Sequence, residues 1–336
     1  MPREIKKAVG EVRRCFRSVG LCRGDALLLA CSGGRDSMAL ALASEICARS
    51  MGLFLSGIVV DHGLQEGSGE AAAQAAAKLS RMGIRAKIAK ISLDPEEEKE
   101  NGEEAAAREA RYGAIRREAE DLGARAVLLA HTLTDQAESV LLDACKTPSS
   151  ASWTGMAEEC RREGVTYLRP FLRISRRETT AVCREAGVSW WDDPTNGIEG
   201  EAGKELPRRS RIRSLVLPEL DEISGGGAEA HLAAFASMHR EDEEFLDSLA
   251  RKALEPFAFA LPFSIPSSLL SSLPRPVERR CCRIILKSFL DRRAAVEKQV
   301  EAFMGLLEKG KGEICLASSL RLRVGKGEAV INLCNN

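Results

Sequence analysis

No Cys-x-x-Cys pair occurs in this chain, although it carries 11 cysteines. They are scattered, odd in number and mostly set in apolar runs (Cys31, Cys47, Cys145, Cys281, Cys282), which argues against a zinc ribbon, an iron–sulfur site or a thioredoxin-type pair. Buried, reduced thiols of a cytoplasmic protein are the simplest account. Charge of one sign is also missing: Lys+Arg and Asp+Glu both number 49. Overall electrostatics therefore do not announce a nucleic acid, and any RNA contact must come from local basic patches. No apolar run is long enough to span a membrane, and no apolar segment of a signal peptide follows the opening Met-Pro-Arg-Glu-Ile-Lys-Lys. Internal repeats and long low-complexity segments are absent. What remains is an ordinary globular composition, 44% hydrophobic and 29% charged over 336 residues, enough for about two domains.

Residues 25–40 organise the rest. Ala26 to Cys31 is a short apolar run that predicts a buried parallel strand. It breaks into Ser32-Gly33-Gly34-Arg35-Asp36-Ser37, and an apolar helix pattern starts at Met38. Strand, glycine turn and helix start together suit an anion. The glycines admit close approach of the backbone, successive N–H groups form a nest, and the helix N-terminus adds partial positive charge. Ser32 and Ser37 can donate further hydrogen bonds. Asp36 would repel a phosphate unless a cation intervenes, which suggests Mg²⁺ between carboxylate and phosphate oxygens. A plain Ser/Gly turn is the bland alternative. Neither the Gly-Lys-Ser/Thr of a Walker loop nor the Gly-x-Gly-x-x-Gly of a dinucleotide fold is present.

Along the chain, residues 3–19 read as an amphipathic helix. Strands are expected at 53–60, 84–91, 126–130 and 167–170, and helices at 71–82, 103–122, 134–145 and 176–186. This alternation predicts an α/β doubly wound parallel sheet with a small helical/α+β domain behind it. The expected divisions are a domain over 1–217, a helical linker over 218–260 and a separate small domain over 261–336. That last domain is expected to have helices near 275–290 and 293–309 and strands near 313–317, 320–324 and 329–333. Residues 195–206 read as a mobile loop, Arg208 to Leu217 as a basic helix stopping at Pro218, and Glu229 to Leu254 as a long helix.

Ligands of such sheets bind beyond the carboxyl ends of the strands. Three polar clusters fall there: Ser32–Ser37, Asp61-His62-Gly63-Leu64 and His131-Thr132-Leu133-Thr134-Asp135-Gln136-Ala137-Glu138. Asp61 and His62 either close a polar turn or hold the nucleotide. Thr134 reads as an N-cap with Asp135 in the first helical turn. A second carboxylate near the bound phosphate could share Mg²⁺ or take a proton from a nucleophile. Arg108, Arg111 and Tyr112 share one helix face, either a solvated stripe or a phosphate or base contact. Arg209, Arg211 and Arg213, with Arg169, Arg173, Arg176 and Arg177, are the strongest candidate for an RNA-facing patch, with a solvated helix face as the alternative.

Taken together these segments resemble the tRNA(Ile)-lysidine synthetases, a family of PP-loop ATP pyrophosphatases. The resemblance rests on Ser-Gly-Gly-Arg-Asp-Ser at 32–37, Val-Asp-His-Gly-Leu at 60–64, Glu-Ala-Ala-Ala-Arg at 104–108 with Arg111-Tyr112, and Ala-His…Asp-Gln-Ala-Glu at 130–138. It extends to Trp191-x-Asp193-Pro194-x-Asn196 and Arg209-x-Arg211-Ile212-Arg213. The tail, with Lys309-Gly310-Lys311-Gly312, is similar to the family's first substrate-recognition domain, as in its short form. The resemblance implies that ATP adenylates the C2 oxygen of the wobble cytidine in the CAU anticodon of tRNA(Ile). The ε-amine of free L-lysine then displaces AMP. It implies Asp36 and Asp135 as catalytic residues and Asp36 as the Mg²⁺ ligand. ATP would contact Ser32, Gly33, Gly34, Arg35, Asp36, Ser37, Asp61 and His62. The tRNA would contact Arg108, Arg111, Arg209, Arg211 and Arg213. A homodimer is left open.

The chain departs from the family pattern where that pattern meets lysine and RNA. Thr132, Thr134 and Ser139 replace a His, an Asp and a Thr, Lys146-Thr147-Pro148-Ser149 replaces a glycine-rich loop, and Ser210 replaces an Asn. Two alternatives stand beside the lysidine reading. A PP-loop tRNA thiolase would need a reactive or cluster-binding cysteine set. A non-catalytic tRNA-binding paralogue would bind tRNA without forming AMP.

Overall fold

The computed structural model describes residues 1–61, 63, 67–93, 96, 99, 102–146, 153–191, 206–290, 296–317 and 320–333. The contacts divide the chain into two compact units, one of residues 1–146 and 155–236, the other of residues 147–154 and 237–336.

The first unit is built on β1 (Ala26–Ala30), β2 (Phe54–Asp61), β3 (Arg85–Lys90), β4 (Ala126–Leu128), β5 (Glu159–Arg162) and β6 (Val165–Leu168). Among the described residues these six strands form one sheet in the order β3-β2-β1-β4-β6-β5. The pairs β2–β3, β1–β2, β1–β4 and β4–β6 are parallel, and β5 runs antiparallel to β6 as a hairpin. The parallel sheet matches the expectation; the antiparallel edge strand does not follow from it. Glu159-Cys160-Arg161-Arg162 carries too little apolar character to read as a strand, and β5 exists because the turn at Glu163-Gly164 folds it onto β6. Pairing also moves the last parallel strand two residues earlier than 167–170, and Arg169 is left beyond the sheet edge.

The unbroken run Leu27-Leu28-Leu29 shows why the sheet is covered on both faces. Leu27 and Leu29 pack with Val9 and Phe16 of α1 (Arg3–Ser18), Met38 and Leu40 of α2 (Arg35–Met51) and Leu79 of α3 (Ser68–Arg81). Leu28 points the other way, onto Tyr112 and Ile115 of α4 (Glu103–Asp121). Val182 and Cys183 of α6 (Arg176–Glu185) join the first of these clusters. Buried Val127 and Tyr167 complete the second. α5 (Leu133–Lys146) follows β4.

Helix α2 begins three residues before the predicted Met38, with Gly34 as its N-cap. Arg35, Asp36 and Ser37 thus lie in the first helical turn, and Asp36 gains from the helix dipole. The basic helix also differs from expectation. α7 (Arg208–Arg211) runs into a π turn (Ile212–Val216) and then α8 (Leu217–Ser224), which carries Pro218 in its first turn. Proline lacks a donor and crowds the carbonyl four residues back. The wider π turn, closed by Leu217 N–H on Ile212 O, removes that conflict, and the chain stays helical. α9 (Ala228–Leu254) follows the Gly225-Gly226-Gly227 turn.

The second unit pairs α11 (Arg275–Phe289) and α12 (Val296–Lys309) with an antiparallel sheet of β7 (Phe263–Pro266), β10 (Glu328–Leu333), β9 (Leu320–Gly325) and β8 (Gly312–Ala317), in that order. A short α10 (Ser267–Ser271) follows β7. β7 is a strand the local pattern does not predict; it pairs with β10 across more than sixty residues of sequence, so its signal is long-range. Phe263, Ile265, Cys281, Ile285, Phe303, Leu322 and Ile331 are buried in this unit's core.

Candidate active site at the carboxyl edge of the sheet

β1 has β2 on one side and β4 on the other, so the connections leave in opposite directions and open a crevice between the ends of β1 and β4. The Ser32–Ser37 loop follows β1, and His131–Glu138 follows β4. Both clusters therefore meet at the crevice, as the strand pattern requires. Asp61 ends β2 at the same edge. It is buried and accepts a hydrogen bond from Gly63 N at 3.1 Å. His62 and Leu64 lie outside the described residues.

The loop is held from below. Gly33 has φ +80°, and a Cβ there would stand 3.0 Å from the Ala75 Cβ, so both backbone shape and space require glycine. Its N–H rests on Cys31 Sγ (3.4 Å), and its carbonyl accepts Trp191 N–H (3.0 Å). Ser37 Oγ donates to Gly34 O (2.9 Å) and lies 3.3 Å from Ser32 Oγ, which stays exposed. Arg35 turns aside, its Nη1 donating to Thr180 Oγ1 on α6 (3.3 Å).

Asp36 is the centre of the site. Thr179 Oγ1 donates to its Oδ1, and Arg176 Nε lies 3.7 Å from its Oδ2. Burial pushes the Asp36 carboxyl above its ordinary pKa and the charge of Asp135 pushes it further, against the pull of Arg176 and Thr179. A half-buried carboxylate that its neighbours only partly compensate, with a second carboxylate close enough to act on its charge, is suitable chemistry for a hard cation. Mg²⁺ commonly takes one or two carboxylates and completes its shell with substrate phosphates. The residues present fit that group.

Asp135 faces the same crevice from α5. Its Oδ2 accepts both Thr132 N–H (2.7 Å) and Thr132 Oγ1–H (2.8 Å), and its own N–H reaches Thr132 Oγ1 (3.4 Å). This is a capping box, so Thr132 is the N-cap of α5, where the sequence pattern favours Thr134. Thr134 has another task. Its hydroxyl donates to Glu229 Oε2 (3.0 Å) and accepts Arg176 N–H (3.2 Å), joining α5, α6 and the start of α9. Oδ1 of Asp135 is left outside the capping box.

His131 accepts Arg169 Nε–H at its Nδ1 (3.2 Å), so the ring is neutral with its proton on Nε2. Burial pushes the His131 pKa down to about 4, Asp135 opposes that, and Arg169, Arg108 and Arg111 add to it. Arg108 and Arg111 therefore bring positive charge to the rim of the site. Arg108 is exposed and lies 5.1 Å above the Tyr112 ring, whereas Arg111 is half-buried and its pKa is lowered by that burial.

The arginines expected to form one RNA-facing patch are divided by the fold. Arg169 is buried and ties His131 to the Ala157 carbonyl (2.8 Å), and Arg176 serves Asp36. Arg213 Nε forms a 2.6 Å ion pair with Glu138, whose side chain is 0% exposed. Arg209 Nη1 stands 3.9 Å from the same carboxylate, and its Nη2 donates to Ser139 (3.3 Å). Arg211 remains exposed. Thr179 and Glu229 border the candidate site without any local pattern to reveal them, and Arg169 and Arg176, read as RNA-facing, turn out to serve His131 and Asp36. Only the Ser175-x-x-Glu178 capping box that starts α6 gives a sequence signal, since it fixes the turn carrying Arg176 and Thr179.

A glycine nest at a helix N-terminus, at the switch point of a parallel sheet and with a carboxylate inside it, defines the class as PP-loop ATP-binding proteins. Residues 4–220 match the PP-loop domain family. The chain is 42% identical over 262 residues to a tRNA(Ile)-lysidine synthase of Bifidobacterium longum subsp. infantis, covering 72% of this chain and 67% of that one. It is 36% identical over 324 residues to the tRNA(Ile)-lysidine synthase of Thermobifida fusca, covering 96% and 95%. The chain belongs to the tRNA(Ile)-lysidine synthase family. The U34-tRNA thiolase NcsA from Methanococcus maripaludis is similar in fold alone, with a TM-score of 0.56 at 15% identity, over 70% of this chain and 80% of that one. Among the described residues no helix is long and apolar enough to cross a membrane.

Proposed function

We propose that this chain ligates free L-lysine to C2 of the wobble cytidine of tRNA(Ile) with a CAU anticodon, at the expense of ATP. The C2 oxygen attacks the α-phosphorus, and pyrophosphate leaves. The lysine ε-amine then adds at C2 and gives up a proton, the C2–O bond breaks, and AMP departs, leaving lysidine. The observation that carries this reading is the meeting of the Gly33-Gly34 nest, Asp36 and Asp135 at one switch point, in a chain of this family. Backbone N–H groups at the start of α2 with exposed Ser32 bind and orient the nucleotide phosphates, while Ser37 braces the loop through Gly34 O. Mg²⁺ would be held by Asp36 and the phosphates, and would supply charge neutralisation for the departing pyrophosphate. Asp135 takes the other side of the reaction. A lysine ε-amine has a reference pKa of about 10.4 and arrives protonated, so a carboxylate must bind the ammonium and help remove its proton. Neutral His131 adds no competing charge. Recognition of the tRNA body is assigned to residues 261–336, and the protein is read as cytoplasmic, with a homodimer as its proposed assembly.

Incorporation of labelled lysine into transcribed tRNA(Ile) with a CAU anticodon, with AMP measured in parallel, tests the reading. Lysine and AMP in equal amounts are expected. AMP without lysine in the tRNA would refute lysine as the nucleophile, and tRNA binding without AMP would refute catalysis.

A further inference from the structure

Outside the site, a cleft of about 460 Å³ runs beside α4. One end is formed by Lys90 and Ser92 at the carboxyl edge of β3, the same edge that carries the site. Its wall is the α4 segment with Tyr112, Gly113, Arg116 and Arg117, and its far side is Arg162 on β5. The two acidic residues in the lining are already engaged. Glu109 pairs with Arg162, and Glu163 is 3.2 Å from Arg116 Nε. They hold those guanidinium groups in place, while Lys90 and Arg117 leave the cleft with excess positive charge.

Gly113 is the second observation. It lies in the interior of α4, where glycine costs more backbone entropy than any other residue. Its φ is not in the left-handed region, and the only atom within 4 Å of a Cβ built there is the end of the Arg117 side chain, at 3.6 Å. No internal neighbour demands glycine, yet the missing side chain lowers the wall of the cleft beside Arg116 and Arg117. Tyr112, between Arg108 at 5.1 Å and Arg162 at 4.6 Å, holds two guanidinium groups over its ring. Lys90 and Ser92 open the cleft at the carboxyl edge of the sheet, so the excess positive charge of Lys90 and Arg117 lies on a surface that begins at the edge carrying the site.

We infer that this α4 cleft is a binding track for the phosphodiester backbone of the tRNA strand that leads to or from the modified nucleotide. The inference rests on tRNA as substrate and adds a surface outside the reacting atoms. Guanidinium and ammonium groups take the phosphates, and the bare helix surface at Gly113 lets the sugar-phosphate chain lie close.

Two variants test it, with tRNA(Ile) transcript affinity from filter binding and steady-state constants for each substrate. Lys90→Glu/Arg117→Glu should raise the Kd and KM for tRNA at least tenfold, leave the KM for ATP and lysine within twofold, and flatten the salt dependence of binding by about one unit of slope per lost phosphate contact. Gly113→Ala should raise Tm by about 2–4 °C, because alanine favours the helix, while weakening tRNA binding at least threefold. A stabilised Gly113→Ala protein with unchanged tRNA affinity, or a charge-reversed protein with unchanged affinity and salt slope, overturns the inference. Wild-type protein that binds tRNA but makes no lysidine would refute the proposed reaction, while the affinities would still decide the track.

Discussion

Arg213→Ala is the substitution whose effect the structure determines most directly. Arg213 Nε pairs with Glu138 Oε1 at 2.6 Å, and the Glu138 side chain is 0% exposed against 21% for Arg213. Removing one partner from a buried pair strands the other, at a cost of about 3–5 kcal/mol. Two features reduce that here. Arg209 Nη1 remains 3.9 Å from Oε2, and burial already pushes the Glu138 pKa up, so the carboxyl can escape its charge by taking a proton. We expect a loss of about 2–3 kcal/mol at pH 8, or about 5–10 °C in Tm for a domain of this class of size. The pH dependence has a definite sign. A carboxyl whose folded pKa lies above its unfolded value favours the folded state at low pH, and that advantage is lost as pH rises through the folded pKa. Without Arg213 the folded pKa rises further, so the deficit of Arg213→Ala should be smaller at pH 5 than at pH 8. Thermal and urea unfolding at both pH values measure this. The double variant Glu138→Gln/Arg213→Gln should recover more than half of the loss, because no charge is left buried. A Tm within about 1 °C of wild type at both pH values, or an equal loss at both, would refute the reasoning.

Asp36→Asn should cut pyrophosphate release by about 10²-fold or more, as expected when a group acting on developing charge is removed; a rate within threefold of wild type removes Asp36 from that role. His131 should titrate near pH 4 in a ¹H–¹⁵N imidazole spectrum, because burial holds the ring neutral. Its depressed pKa makes the unfolded chain the better proton acceptor between about pH 4 and 6.5, so stability should rise with pH across that window. A midpoint near 6.5 contradicts the buried neutral ring. Gly33→Ala meets both φ +80° and a 3.0 Å approach to Ala75, and should cost about 1–3 kcal/mol with a raised KM for ATP; unchanged stability would show that the loop is not held in this shape. Arg211→Ala, at an exposed position, should raise the KM for tRNA while leaving Tm within about 1 °C, and a large Tm loss would assign it a packing role instead.

Much of the fold was legible because its signals are local. The Leu27–Leu29 run, the Ser-Gly-Gly break and the spacing of amphipathic segments each follow from side chains within a few residues. Alternation of strand and helix then forces a parallel sheet whose carboxyl edge must carry the three polar clusters. The misplaced features have signals outside the apolar pattern: β5 is a polar strand folded back by the turn at Glu163-Gly164, β7 is set by β10 more than sixty residues away, and the helix passes Pro218 through a π turn. The capping of α5 was a near miss. Thr132 has Asp135 three residues on to complete a capping box, where Thr134 has Ala137, and Thr134 is held instead by Glu229 and Arg176 N–H.

By itself, then, the sequence determined the class of protein and brought the Gly33-Gly34 turn, Asp36 and Asp135 to one edge of a parallel sheet. Nest, helix start and acid are contiguous, and their chemistry depends on order alone. What tertiary structure decided was the use of the arginines. Arg169, Arg176, Arg209, Arg211 and Arg213 are alike in sequence as basic residues near a helix or turn. Folding buries Arg169 against His131, turns Arg176 to Asp36 and Arg213 to Glu138, and leaves Arg211 in solvent. A guanidinium is assigned its role by whichever carboxylate, ring nitrogen or solvent the fold puts within about 3–4 Å, and that neighbour is rarely close in sequence.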